Sequence, residues 1–164
     1  MRGSAAFLGA ASGRRTHLPP SARSNVAMMA HLVRHTCPMD RAGRSELHYR
    51  ALDGDVNGIR DRLAAGDDVR AADANGFTAL HFAAQMSRAE AVAALLAAGA
   101  PVDPLDKFGN TPLWRSVFNS KGDPTVVRLL VAAGADPDCA NHSGNSPRSI
   151  TERVSNFDMS GFFD

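Results

Sequence analysis

Gly76-Phe-Thr-Ala-Leu-His-Phe-Ala-Ala84 is the stretch that decides how the rest of the chain is read. Laid over itself at a shift of 33 residues, the segment from Gly43 to Asp73 aligns with Gly76 to Asp106. Leu47 then meets Leu80, His48 meets His81 and Gly66 meets Gly99. A third copy starts at Gly109 and closes at Gly134-Ala-Asp136. It is two residues longer because Asn119-Ser-Lys-Gly-Asp-Pro124 replaces a shorter linker, and the register resumes at Gly144. A period of this size is the mark of stacked supersecondary units, none of which buries its apolar face alone.

The caps give the contents of each unit. Thr78, Thr111 and Ser146 stand where a hydroxyl accepts from the first turn of a helix, and Pro112 and Pro147 take first helical positions. Second helices are expected to start at Ser87-Arg-Ala-Glu90, read as a capping box, and at Asp123-Pro124 ahead of Val126, Val127, Leu130 and Val131. Gly66, Gly99 and Gly134 fall where a left-handed residue ends a helix. The unit is therefore predicted to be helix, turn, helix and extended turn.

Gly76 to Ala84, Gly109-Asn-Thr-Pro-Leu113 and Leu95-Leu-Ala-Ala-Gly-Ala100 together resemble the ankyrin-repeat family and its T-P-L-H-x-A-A motif. The resemblance covers residues 41 to about 154. It implies an all-α solenoid of about four helix-turn-helix units joined by extended turns, with repeats near 41–73, 74–106, 107–141 and a capping unit at 142–164. Trp114 replaces the motif's His in the third copy, and the first copy opens with Ser45-Glu-Leu-His48, so the outer copies read as caps. A terminal unit must be polar on its outer side. Ile150, Val154 and Phe157 fit a one-sided helix, and Phe162 and Phe163 are expected to fold back onto it.

Residues 1–40 read differently. Arg2, Arg14, Arg15, Arg23 and Arg34 occur before the first acidic residue, Asp40. Subtracting those five from the 18 Lys and Arg leaves 13 basic against 17 acidic side chains in the repeat region, too few for the phosphate attraction that drives nucleic-acid binding. The leader is expected to be a disordered tail or an upstream-extended start with Met28 or Met29 as the true first residue, in preference to an organellar transit peptide. No run approaches the roughly 18 apolar residues of a membrane span, so neither membrane nor nucleic acid is an expected partner. Cys37 and Cys139 make no disulfide framework, which fits a reducing cytoplasm. The scarcity of lysine beside abundant alanine fits a GC-rich bacterial genome.

Four places in the chain carry residue types that could do chemistry. His31, His35 and Cys37 supply zinc-ligand types without a second ligand pair, and a metal- or redox-sensing role for them is the alternative of another class. His48 and His81 recur at one repeat position, where the resemblance implies a bond to the Thr and backbone of the hairpin turn and not proton transfer. Asp136 and Asp138 are expected to raise the thiol pKa of Cys139. Asp53, Asp55, Asp67 and Asp68 lack the oxygen spacing of a calcium loop. No nucleophile elbow, Walker loop or dinucleotide fingerprint occurs. The expectation is a monomeric, non-catalytic protein with no cofactor and no metal, whose partner is another protein.

The resemblance places the partner on turn tips and first-helix faces: Phe77, Met86, Lys107, Phe108, Asn110, Phe118, Asn119 and His142, with Arg44, Ala74, Asn75, Gln85 and Asn145 around them. For Phe77 and Phe118 the alternative is a ring tucked into a neighbouring hairpin as core. Trp114 either fills the gap left by the missing His, its indole N–H taking one carbonyl, or joins the patch. The run Asn110 to Ser120 and the Phe-rich end also resemble short bacterial ankyrin chains found beside toxin genes, which makes an immunity-type inhibitor of a toxin the second functional reading.

Overall fold

The computed structural model describes residues 39–153 and 162–163, and the statements below concern those residues. Seven α-helices follow one another: α1 Glu46–Asp53, α2 Val56–Ala64, α3 Ala79–Gln85, α4 Ala89–Ala97, α5 Pro112–Asn119, α6 Thr125–Ala132 and α7 Pro147–Arg153. They form three antiparallel pairs and the first helix of a fourth. First helices pack in the row α1, α3, α5, α7, and second helices in the row α2, α4, α6. Val154, Asn156 and Phe157 lie outside the described residues.

The core repeats as the sequence does. Leu47, Leu80 and Leu113, 33 residues apart, are buried, and so are Ile59, Val92 and Val127 on the second helices. Full burial of one such side chain contributes about 1.5–3 kcal/mol. Ala51, Ala83, Ala84 and Ser116 keep the first helices close. Positions filled in the second unit by buried Ala79, Ala83 and Leu95 are Glu46, Arg50 and Arg62 in the first. No unit precedes these among the described residues, and the side that would stack carries an ion lattice instead: Glu46–Arg50 at 2.7 Å, Arg50–Asp55 at 2.9 Å and Arg62–Asp67 at 2.6 Å. This is the polar cap expected of a terminal unit. At the other end Phe162 is buried in the core and Arg148 lies 5.3 Å from the Phe163 ring, so the Phe pair does fold back.

The helix ends follow the expected caps with one correction. Thr111 accepts from the Trp114 N–H, Ser146 and Ser149 exchange side-chain and backbone bonds, and the Asp123 carboxylate takes the Thr125 N–H. Ser87-Arg-Ala-Glu90, however, is not a capping box. Arg88 is the cap residue and gives no side-chain bond, while Ser87 adopts φ 53°. Ser87 occupies the position that Gly54, at φ 79°, holds in the first unit. The tight reversal between paired helices needs a left-handed residue there, and that geometry overrides the capping pattern.

Candidate functional site

Each extended turn is organised by one side-chain oxygen. Asp40, Asp73, Asp106 and Asn141 each use Oδ1 to accept the N–H groups two and four residues on, at 2.8–3.0 Å. The same residues donate their own N–H to the carbonyls of Arg44, Phe77, Asn110 and Asn145. Each tip is thus a closed loop with a left-handed glycine at its corner. Neighbouring tips are joined by main-chain bonds from Ala74 to Ala42, Lys107 to Asn75 and His142 to Phe108, at 2.9–3.0 Å. The tips form a continuous ladder, and the residues projecting from it are held in fixed relative positions.

Beside the tips runs a second series, of rings and guanidinium groups. Arg44 lies 4.9 Å from the Phe82 ring, Phe82 lies 5.3 Å from Phe77, and Arg115 lies 4.7 Å from Phe77 and 5.6 Å from Trp114. Trp114 stacks on Phe118 at 5.1 Å with the rings 13° from parallel. Both guanidinium groups are pinned by carboxylates that are fully out of solvent, Arg44 by Asp73 at 3.2 Å and Arg115 by Asp106 at 2.5 Å. Burial alone would push the Asp106 carboxyl up. The bonds from Arg115 and Asn110 outweigh it and hold the group below its ordinary range.

The two histidines are structural, as the resemblance implies. The N–H of Thr78 donates to His81 Nδ1 at 3.1 Å, so Nδ1 is an acceptor and the proton sits on Nε2, which donates to the Asn110 carbonyl at 3.1 Å. His48 does the same between the Ser45 N–H and the Ala71 carbonyl. Burial pushes the pKa of both below the ordinary value and keeps them neutral. Trp114, at the corresponding place in the third unit, behaves otherwise. Its Nε1–H is buried and has no partner among the described residues, so the expected carbonyl contact is absent, and the ring goes instead to Phe118.

Of the residues expected to face a partner, Phe118 (64% exposed), Phe108 (52%), Met86 (44%), Lys107 and His142 are exposed. Lys107 reaches Asn75 Oδ1 at 2.5 Å with its ammonium 5.0 Å from the Phe108 ring. Asn119 is half-buried and donates to the Arg115 carbonyl. Two assignments need correction. Asn110 is 4% exposed and part of the framework: its amide nitrogen donates to Asp106 and its oxygen accepts from Asn141 at 2.8 Å. Phe77 is half-buried, held between Arg115 and the Phe82 and His81 rings, so it belongs to the floor and not to the rim. Arg44, too, is engaged within the stack.

Sequence reasoning missed Leu105, 55% exposed beside the Phe108 tip, and Tyr49, which donates its hydroxyl to Asp40. The equivalents of Leu105 at one period are Ala72 and Ala140, so a large apolar residue at an otherwise small position was the available signal. Burial is the main cause raising the Cys139 thiol pKa, followed by Asp103 and Asp136; Asp103, not Asp138, is the second carboxylate. Asp55 caps α2 through Gly58, Asp67 pairs with Arg62 and Asp68 holds the Arg70 N–H, while no group of three or more metal-ligating residues occurs among the described residues. His31, His35 and Cys37 lie outside those residues.

A row of paired helices joined tip to tip, with no helix among the described residues long and apolar enough to cross a membrane, defines a repeat protein of stacked helix pairs. A family model described as ankyrin repeats (3 copies) matches residues 47–141. The chain belongs to the ankyrin-repeat family, whose repeats generally mediate protein–protein interaction and are typically non-catalytic. It is also 34% identical over 110 residues to serine/threonine-protein kinase 12 of Arabidopsis thaliana, a match covering 67% of this chain and 24% of the kinase. The chain therefore spans about a quarter of that relative's length.

Proposed function

We propose that this chain is a monomeric, non-catalytic cytoplasmic module that binds another protein through the tip of its third unit and the first-helix face beside it. The observation that carries the reading is the exposure of Leu105 and Phe108 at one end of α5, and of Phe118 and Met86 at the other, on a backbone held by the tip ladder. Solubility alone favours polar residues at such places, and interface aromatics are where binding energy concentrates. The two histidines best suited to proton transfer have both ring nitrogens engaged, which supports binding without catalysis.

The test is capture from a lysate of the source organism, followed by affinity measurement on the protein identified. Phe108→Ala is expected to change thermal stability by less than about 0.5 kcal/mol and to weaken binding by about 2 kcal/mol, roughly thirtyfold. A variant that melts early yet binds normally when folded, or a native chain that retains nothing, overturns the assignment.

A further inference from the structure

We propose that the tip of the third unit receives an acidic side chain of the partner protein together with an apolar neighbour, the carboxylate pairing with Lys107 and the apolar side chain covering Phe108. The inference deepens the protein-binding reading and rests on it.

Lys107 is fixed in place but not neutralised. Its ammonium donates to Asn75 Oδ1 of the preceding tip at 2.5 Å and stands 5.0 Å from the Phe108 ring. Both partners are uncharged, and no carboxylate among the described residues lies within ion-pair distance of the group. Arg44, Arg50, Arg62, Arg115 and Arg148 each have one. Asn75 thus holds a flexible lysine stem in one conformation before any partner arrives, which removes part of the ordering cost of binding and leaves the charge to be met from outside.

The surroundings favour an acid. The repeat region carries more acidic than basic side chains, yet the tips turn their acids inward. Asp73 and Asp106 have carboxylates fully out of solvent under Arg44 and Arg115, and Asp40 is engaged by the Tyr49 hydroxyl and by its own turn. Asp103, the next acid before the third tip, takes the Asp136 N–H. At the place of Lys107 the other tips carry Arg41, Ala74 and His142, none of them acidic. His142 closes on Phe108 from the fourth tip, its N–H on the Phe108 carbonyl and its ring where a side chain on Gly109 would stand.

Phe108 supplies the apolar half, since 52% of it stays exposed beside the ammonium. Residues i and i+2 of an extended segment share one side about 7 Å apart, which suits one side chain on the ammonium and the next on the ring. A purely apolar partner would strip water from the Lys107 charge and return nothing, and a basic one would be repelled.

The probe is the capped peptide Ac-Ala-Glu-Ala-Leu-Ala-NH2, with counterparts that carry Gln or Lys for the Glu, or Ala for the Leu. Each is titrated into the full chain at constant ionic strength and followed by NMR of the Phe108 ring and the Lys107 ε-methylene. The Glu–Leu peptide is expected to saturate and to bind about threefold tighter than the Gln or Ala counterpart, the range of partly exposed charge pairs, and the Lys peptide to bind worst. Lys107→Gln should abolish the preference for Glu over Gln. Asn75→Asp keeps the bond to Lys107 but supplies the carboxylate from within, so it should weaken the Glu–Leu peptide about threefold or more while the melting temperature holds or rises. Loss of folding cannot produce that combination. Equal binding of the Gln peptide, a preference for Glu that survives Lys107→Gln, native affinity in Asn75→Asp, or no saturation overturns the inference. Partner capture that survives both substitutions overturns it and leaves the binding-module reading standing, while Glu–Leu peptide binding by a chain that captures no partner overturns that reading instead.

Discussion

Asn110 shows how far a residue's role depends on neighbours that lie far away in sequence. Adjacent to Gly109 at a turn, it reads as a polar rim residue, but its amide joins Asp106 in its own turn to Asn141 in the next. Asn110→Ala removes both partners' bonds in a buried place, and a loss of about 1–3 kcal/mol is expected in chemical denaturation; a neutral result would return Asn110 to the rim. The histidines give a second prediction, with a definite sign. Both have folded pKa values below the unfolded value near 6.5, so the unfolded chain binds more protons in the interval between. Their contribution to stability is complete above that value and is lost as pH falls through it, at no more than about 1.4 kcal/mol per pH unit for each. Melting temperature measured from pH 7.5 to 5 should drop. The slope should lessen in His81→Gln, and the loss begins well above the carboxylate range, where the Asp106 pair would titrate.

Among the elements, helix existence was legible throughout and helix starts were legible where a hydroxyl or proline sits at a fixed offset, as at Thr111-Pro112 and Ser146-Pro147. Ser87 was not, because Ser followed three residues later by Glu also fits a cap, and only the tight hairpin between α3 and α4 forces a left-handed backbone on it. The comparison that would have shown it is Gly54, one period earlier. Ser87→Gly relieves that conformation at an exposed position where the side chain makes no hydrogen bond among the described residues, and a gain of about 0.5–1 kcal/mol is expected, read as a higher melting temperature. Unchanged or lower stability would show that the residue is unstrained. Phe77 and Trp114 were undecidable for the same reason as Ser87. Whether an aromatic at a turn or on a first helix is floor or rim depends on Arg115 and Phe118 meeting it, and contacts of that kind carry no period.

For the whole molecule, the 33-residue period and its two-residue stretch in the third copy sufficed for the stack, since every interior unit repeats the same apolar positions. The caps were legible as polar substitutions at those positions. The tip ladder was not anticipated, although Asp40, Asp73, Asp106 and Asn141 obey the same spacing. Aspartates in turns have many uses, and the sharing of each oxygen between two N–H groups is a fact of conformation. Our proposed boundary near residue 40 makes a prediction at this scale: deleting 1–38 should leave the melting curve almost unchanged, and a loss above about 1 kcal/mol would mean that the leader belongs to the folded unit.

The tip ladder also has a mechanical side. Each junction between units is crossed by one main-chain hydrogen bond at the tips, so a pull applied between the ends of the array loads the junctions in series. The second junction is reinforced by the His81 imidazole reaching the Asn110 carbonyl, whereas at the third an indole stands in the imidazole's place, its N–H without a partner among the described residues. The third junction has ties of its own, from the Asn141 amide to Asn110 Oδ1 at 2.8 Å and from the Arg148 N–H to the Pro137 carbonyl at 2.9 Å. The junctions thus carry load through different sets of bonds, and it is parting at the third that would cost the surface around Phe108 the support of His142.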